Sequence, residues 1–335
     1  MNYVGRLAPS PTGAQHVGNA RTYLVAWLLC RQAQGKLLLR IEDLDTPRTK
    51  HGAMAEALED LAWLGIDWDS VDANTSYVTQ SSRESRYREV LEQLKSQELI
   101  YPCTCTRTDI DRAGSISEAS APHESLLDGA IYPGTCAGNL ASDANELTHQ
   151  NKTFSWRFRM PSGEMQFHDE LQGLQCLDAK SQLGDFVIAR SSRVTAYQLA
   201  VVIDDHDFGI NHVVRGDDLI YSTYRQIALY QSLQWSCPSW LHVPLVIGTD
   251  GRRLAKRHGD SRLSSFRKQG VSSQQILGFL GCSLGLSNSP ESIQAYELLE
   301  IAQKDRSWFQ RILRGPLMFE GGFERVTFGT TISDS

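Results

Sequence analysis

The 335-residue sequence contains no G-x-x-x-x-G-K-[ST] loop and no G-x-G-x-x-G fingerprint. P-loop chemistry and the standard dinucleotide site are therefore excluded. Long hydrophobic runs are also missing. The longest unbroken apolar stretch, Leu24 to Cys30, is far short of the ~20 residues that cross a bilayer. No basic-then-apolar leader follows Met1, so the chain reads as cytoplasmic, with no membrane partner. Basic charge is not in excess: 33 Lys and Arg stand against 39 Asp and Glu, a net charge of −6. Any polyanion must then be met by a local patch rather than by bulk attraction. Seven cysteines, an odd number in a long chain, do not make a disulfide framework and read as reduced thiols or metal ligands. The N-x-[ST] sequons at Asn74 and Asn151 consequently carry no meaning.

What is present is an ordinary globular composition, 41% hydrophobic and 21% charged, with length for about two domains. Tyr3 to Ala8 reads as a short buried strand stopped by Pro9-Ser10-Pro11-Thr12-Gly13. From Gly18, Ala20, Leu24, Trp27 and Leu28 recur at helical spacing, and Gly35-Lys36 closes that helix before a strand from Leu37 to Ile41. Strand, turn, helix and strand make a βαβ unit, and hence a parallel sheet covered by helices. Further helices are predicted around Met54, Leu58 and Leu61, around Tyr87, Val90, Leu91 and Leu94, from Ala196, from Leu219 to Leu233, and from Ser272. Strands are predicted at Phe154–Phe158, Phe186–Ile188 and His212–Arg215. Residues 107–150, rich in Ser, Ala, Asp and Gly, read as a loop-rich insertion held by something other than a core. The tail after Gly321 is expected to be poorly ordered.

The strongest local feature is Pro9 to Asn19, placed between the first strand and the first helix. A loop there presents free N–H groups and the positive end of the helix dipole, favourable for an anion. Gly18 lets a nucleotide approach the backbone, and His16 can donate to a phosphate oxygen. Taken by itself, the segment reads equally as a glycine-shaped turn with a surface histidine. A second feature, Asp250 to His258, carries Arg252, Arg253, Lys256 and Arg257 in an otherwise acidic chain. It is a phosphate-facing candidate, although such a run is often a solvated face.

In order, Pro9-Ser10-Pro11-Thr12-Gly13, His16-Val17-Gly18-Asn19, Arg40 to Asp45, Tyr197-Gln198-Leu199-Ala200, Val214 to Asp218 and Arg253 to Arg257 resemble the catalytic half of glutamyl-tRNA synthetases. His16 to Asn19 resembles their HIGH element, and Arg253 to Arg257 their KMSKS element, over roughly residues 3–285. The resemblance implies an α/β fold, a Rossmann-like parallel sheet of class I synthetases with an inserted zinc-containing subdomain and a C-terminal helical stem-contact region. It also implies a glutamate pocket at Arg6, Leu7, Ala8, Pro9, Ser10, Glu42, Tyr197 and Arg215, and ATP contacts at His16, Gly18, Asn19 and Lys256. The chemistry suits the residues: Arg6 and Arg215 offer planar forks for carboxylates, and Glu42 an anion for the ammonium group. Read without the family, Glu42 and Arg215 serve equally as a structural ion pair, and Tyr197 as core.

Activation would then be attack of the glutamate α-carboxylate on the α-phosphorus of ATP, releasing pyrophosphate. His16 and Lys256, with Mg²⁺ bridging phosphates, would stabilise the charge that builds up. Arg253 and Ala255 depart from the KMSKS pattern in place of its first lysine and its serine, while Lys256 is retained.

Only 78 residues, 258–335, follow Arg257, too few at ~100–200 residues per domain for both a stem-contact region and an anticodon reader. That expectation points to the architecture of glutamyl-queuosine tRNA(Asp) synthetases, which esterify glutamate to the cyclopentene-diol of queuosine at position 34 of tRNA(Asp). Val201 agrees, because full-length relatives often carry Asn at the matching position. The implied division is 1–100, first half of the catalytic domain; 101–190, inserted acceptor-binding and zinc subdomain; 191–250, second half; and 251–335, KMSKS-like loop and stem-contact region. In the insertion, Cys103, Cys105 and Cys136 supply three thiolates for a tetrahedral Zn²⁺. The family implies Tyr132 as the fourth ligand, with His123 as its competitor. Cys30, Cys176, Cys237 and Cys282 read as packing. The alternatives are a truncated enzyme charging the 3′ end of tRNA(Glu), and a catalytically silent paralogue that binds tRNA.

Overall fold

Strand β1 (Val4–Leu7), helix α1 (Val17–Gln32) and strand β2 (Lys36–Ile41) form the expected βαβ unit. β1 and β2 pair in parallel with Leu7 opposite Leu39. The computed structural model describes residues 2–11, 14–44, 52–117, 130–191, 194–251, 254, 261–323 and 325–328. After α2 (Ala53–Trp63), β3 (Val78–Thr79) extends the sheet in parallel beyond β2. Side chains of β2 alternate between the two faces, as the pleat requires. Leu37, Leu39 and Ile41 join a core beneath α1, whereas Leu38 joins a second core on the opposite face.

That second core is built from α3 (Glu84–Ser96) and from an antiparallel sheet that opens with β4 (Ile100–Cys103). Next come α4 (Arg107–Ser117), α5 (Asp143–His149) and β5 (Ser155–Phe158), the last paired antiparallel to β4. Among its described residues, the stretch read as loop-rich therefore contains two short helices. Strands β6 (Glu164–Asp169) and β7 (Gly173–Asp178) form a hairpin that the sequence reading missed, because β7 exposes Leu174 and Cys176 while Gln175 lies on its half-covered face. After α6 (Ala179–Leu183), β8 (Phe186–Ser191) and β9 (Val194–Thr195) complete the antiparallel sheet in the order β4-β5-β8-β9.

The chain then returns to the parallel layer through α7 (Tyr197–Asp207) and β10 (His212–Gly216). β10 flanks β1: Asn211 N–H donates to the Val4 carbonyl at 3.0 Å, and Arg6 Nη1 to the Val214 carbonyl at 2.9 Å. Helix α8 (Ile220–Ser232) leads to β11 (Ser239–Val243), parallel to β10, and β11 meets β6 through Trp240 and Asp169.

Beyond β12 (Val246–Ile247), helices α9 (Leu263–Lys268), α10 (Ser273–Ser283) and α11 (Ala295–Lys304) share the core beneath α1. Fully buried Arg21 of α1 locks this packing by donating to the Pro244 carbonyl at 2.8 Å and to Ser283 Oγ at 3.2 Å. The tail departs from expectation. β13 (Leu317–Met318) pairs in parallel with β12, and β14 (Thr327–Phe328) pairs antiparallel with β13. Phe323 is buried against Phe266, Phe279 and Phe319. Apolar burial holds the Gly-rich segment down, a force that composition alone does not register. Residues 329–335, part of the same expectation, lie outside the described residues.

Candidate active site

A cleft of about 420 Å³ opens where β1, β2 and β10 end and α1 begins, the place where parallel sheets bind ligands. It brings together Arg6, Ala8, His16, Gly18, Asn19, Glu42, Tyr197 and Arg215, whose sequence positions span some two hundred residues. Leu7, Pro9 and Ser10 are not part of the lining. The Leu7 side chain faces the core beneath α1, since neighbours on a strand point oppositely. The Pro9 carbonyl accepts the Glu42 N–H at 3.0 Å, and Ser10 Oγ donates to the Glu42 carbonyl at 3.4 Å. These residues brace the backbone of Glu42.

Glu42 and Arg215 are not a structural ion pair. Glu42 Oε1 meets Arg40 Nη2 at 3.0 Å, and Arg40 Nη1 meets Asp205 Oδ1 at 2.5 Å. Asp205 also faces Arg6 Nε at 3.8 Å. Burial pushes the Glu42 carboxyl up, while Arg40 and Arg6 pull it back down. Beneath this lattice, fully buried Asp204 accepts from Arg83 Nε at 2.6 Å, Gln80 Nε2 at 2.9 Å and Tyr87 Oη at 2.9 Å. Sequence reasoning missed Asp204 and Asp205 as site supports. Two acids directly after the apolar run Leu199 to Ile203 were the available signal, because a carboxylate there is buried and must be paired.

The Arg215 fork is largely committed to protein. Nε donates to His242 Nε2 at 3.1 Å, Nη1 to Gln226 Oε1 at 2.8 Å and Nη2 to Thr223 Oγ1 at 2.8 Å, with the Leu219 carbonyl at 3.4 Å from Nη2. Of its five N–H donors, one on Nη1 is uncommitted among the described residues. The bidentate carboxylate grip expected from sequence therefore needs Nη2 to release Leu219, the longest of these contacts. Gln226 is itself oriented by Gln198 at 3.0 Å, the residue after Tyr197. Burial beside Glu42 pushes the Tyr197 hydroxyl up, so it remains a protonated donor.

His16 is the N-cap of α1, not a free surface side chain. Its Nδ1 accepts from the Gly18 and Asn19 N–H groups at 3.1 and 3.4 Å, and Asn19 Oδ1 accepts the His16 N–H at 3.1 Å. The cap fixes the tautomer, since an accepting Nδ1 leaves the ring proton on Nε2. Burial lowers the His16 pKa and favours that neutral form. A Cβ at Gly18 would lie 2.9 Å from the His16 ring, so any other residue there would push the capping ring aside. Leu254 lines the cleft, and Ser261 accepts the Val17 N–H at 3.2 Å. Lys256, Arg253, Ala255, Arg257 and the competing ligand His123 lie outside the described residues.

Away from the cleft, the Cys103, Cys105 and Cys136 sulfurs lie within 4.8 Å of one another. Cys105 and Cys136 Sγ are 3.7 Å apart, and Tyr132 Oη lies 3.4 Å from Cys103 Sγ and 4.0 Å from Cys105 Sγ. Burial raises the Cys136 thiol, but hydrogen bonds from the Thr104 backbone, Tyr132 and its fellow thiols outweigh this and hold it below its ordinary value. Cys105 is pushed up to about 11 by burial and by the neighbouring thiols. Three thiolates this close need a cation to ionise together, which fits a soft metal. Cys30 packs in the core as expected and Cys282 is half-buried, but Cys176 and Cys237 are exposed, so packing does not account for them. Among the described residues, no helix is long and apolar enough to cross a membrane.

The family described as tRNA synthetases class I (E and Q), catalytic domain, matches residues 3–310. The glutamyl-Q tRNA(Asp) synthetase of Rhodopirellula baltica is 46% identical over 95% of this chain and 96% of its own length. That of Symbiobacterium thermophilum is 42% identical over 89% and 91% respectively. A solved glutamate tRNA ligase from Elizabethkingia meningosepticum, described as in complex with its amino acid, shares the fold with a TM-score of 0.75 at 24% identity. The match covers 90% of this chain and 64% of that one.

Proposed function

The chain belongs to the class I tRNA synthetases for glutamate and glutamine, and within them to the glutamyl-Q tRNA(Asp) synthetases; from this we propose that it activates glutamate with ATP, without tRNA, and transfers it to the queuosine diol at position 34 of tRNA(Asp). The observation that carries the reading is the convergence of two guanidinium groups, Arg6 and Arg215, and one carboxylate, Glu42, in a single cleft beside the capped end of α1. Glutamate carries two carboxylates and one ammonium group, the complement of that set.

In this reading Arg6 and Arg215 hold carboxylates, Glu42 holds the ammonium group, and Tyr197 donates from the wall. His16 donates through Nε2–H to a phosphate oxygen, with Lys256 assigned the same task from the basic segment. The α-carboxylate oxygen attacks the α-phosphorus, the bond to the bridging oxygen breaks, and pyrophosphate leaves with the electron pair. No protein nucleophile takes part. The site's work is alignment and stabilisation of charge on the phosphates, where one donor is worth about 10²–10³ in rate. Mg²⁺ accompanying ATP would neutralise phosphate charge. We place the enzyme in the cytoplasm and retain the division at residues 100, 190 and 250.

Pyrophosphate exchange dependent on glutamate and ATP, with no tRNA present, tests the first half of the reading, and its absence in folded, metal-replete protein would reject it. For the second half, labelled glutamate and ATP are incubated with queuosine-containing and queuosine-lacking tRNA(Asp). A site that hydrogen-bonds a hydroxyl rejects an acceptor lacking it by about 10⁴, so label is expected on the modified tRNA alone. Equal labelling of both, or charging of tRNA(Glu), would point to esterification at the 3′ end.

Cys103, Cys105, Tyr132 and Cys136 would hold Zn²⁺, which would pin a region whose own core, among the described residues, is Tyr101, Cys103 and Tyr132 with a few partly buried neighbours. Cys136→Ser is expected to reduce metal content from about one ion per chain and to slow transfer to tRNA about 10-fold or more. Pyrophosphate exchange should change less than about 3-fold, the cleft being built on other elements. Metal analysis alongside both assays checks this, and full metal content in the variant would refute the ligand set.

A further inference from the structure

Asp169 ends β6 and His242 lies in β11, in a part of the sheet that no sequence motif marked. Both side chains are fully buried. Asp169 Oδ1 accepts the backbone N–H groups of Leu171 at 3.0 Å and Gln172 at 2.8 Å, while Oδ2 lies 2.6 Å from His242 Nδ1, and the His242 backbone N–H donates to both oxygens, at 3.3 Å to Oδ1 and 3.1 Å to Oδ2. On its other edge, His242 Nε2 lies 3.1 Å from Arg215 Nε and 3.2 Å from Thr223 Oγ1. An arginine Nε only donates, so His242 Nε2 must accept, and the ring proton must sit on Nδ1 facing Asp169. The charged groups around the ring are Asp169, Arg215 and, farther off, Arg6. A proton added to His242 would set a second cation against the Arg215 guanidinium.

We infer that Asp169 and His242 are positioning residues for the amino-acid substrate: Asp169 fixes the His242 tautomer, and His242 sets the plane of the Arg215 guanidinium so that its free Nη1–H faces the cleft. This rests on the glutamate reading above and names the groups that make its carboxylate site specific. Two of the three strong contacts on the fork, from Gln226 and Thr223, come from α8. Without His242 the guanidinium keeps those but loses the one on its Nε edge, and with it the bond that stops rotation out of plane. His242 touches no reacting atom in this scheme. Its effect passes through Arg215.

Asp169→Asn is the discriminating variant. Its amide oxygen, in the place of Oδ1, still accepts the N–H groups of Leu171, Gln172 and His242, but its NH₂ now donates to His242 Nδ1. The ring proton moves to Nε2 and opposes Arg215 Nε–H, donor against donor. The expected result is a rise of about 10–100-fold in KM for glutamate, the weight of one hydrogen bond to a charged group, with KM for ATP within about twofold of wild type. In a His242→Phe background the same change should add nothing to KM, because the relay is already cut. A folded Asp169→Asn protein with wild-type KM for glutamate would overturn the inference, as would full additivity in the double variant.

Should the variants not fold, ¹⁵N imidazole spectra of the unaltered protein decide the matter. A neutral His242 with its proton on Nδ1 at pH 7 is expected, and an Nε2–H ring or an imidazolium would overturn the inference. That measurement needs no activity. If pyrophosphate exchange is absent while the Nδ1–H tautomer is found, the glutamate reading fails and the built pair stands.

Discussion

Arg215→Lys is expected to lower kcat/KM for glutamate-dependent pyrophosphate exchange by about 10³. The guanidinium is locked by His242, Gln226 and Thr223, three acceptors set around one planar fork. A lysine ammonium carries the same charge but sits on a flexible stem and cannot meet three acceptors in that plane while also reaching a substrate carboxylate. It would also be required to remain charged where burial already lowers the arginine's own pKa, and a buried lysine gives up its proton far more readily. The loss should fall mainly on KM for glutamate, with KM for ATP little changed, since the groups that hold the fork lie on α8 and β11 rather than on α1. Exchange rates measured across glutamate concentrations check this, and a variant within about fivefold of wild type would remove Arg215 from the carboxylate site.

The second large effect is on stability. Asp204→Ala is expected to cost about 3–5 kcal/mol, the range for removing one partner from a buried charge pair. Its carboxylate is fully buried and serves Arg83, Gln80 and Tyr87 at hydrogen-bond distance, with Arg40 Nε at 3.7 Å. Alanine would strand the buried Gln80 and Tyr87 donors and leave Arg83 with Asp207 alone. The damage would spread to the cleft through Arg40, which also holds Glu42 and Asp205. Asp207→Ala is the control, because its pairs with Arg83 and Arg86 lie nearer the surface and are worth about 0–1 kcal/mol. Denaturant melts of both variants measure the difference, and equal losses would show that the Asp204 lattice is no stronger than a surface ion pair.

These two expectations draw on different kinds of information. Arg215 was legible in the sequence because it stands in an ordered series of local motifs, as do His16, Glu42 and Tyr197, and Arg6 followed from the resemblance that the series carries. The first βαβ unit was legible because its apolar spacing switches from a helical period in α1 to a continuous run in β2. The thiols of Cys103, Cys105 and Cys136 were legible because tight spacing of soft ligands is itself a chemical signal. The hairpin β6–β7 was not, since a half-covered strand is read by apolar-in, polar-out alternation and β7 turns Leu174 and Cys176 outward. The fold of the tail was not either, since Phe323 gains its burial from residues some forty to sixty positions earlier.

By itself, the order of residues determined the parallel βαβ start, the family resemblance and the side chains that meet in the cleft. Tertiary structure alone decided what holds those side chains in place. Arg40 finds Asp205 across 165 positions, Tyr87 finds Asp204 across 117, and His242 finds Asp169 across 73. It also decided that Arg215 spends most of its donors on protein, and that His16 caps a helix rather than facing solvent. Periodicity reports which way a side chain points relative to its own helix or strand, a consequence of local backbone geometry. Which distant group it meets there depends on how strands are ordered across the sheet, and no local spacing carries that information.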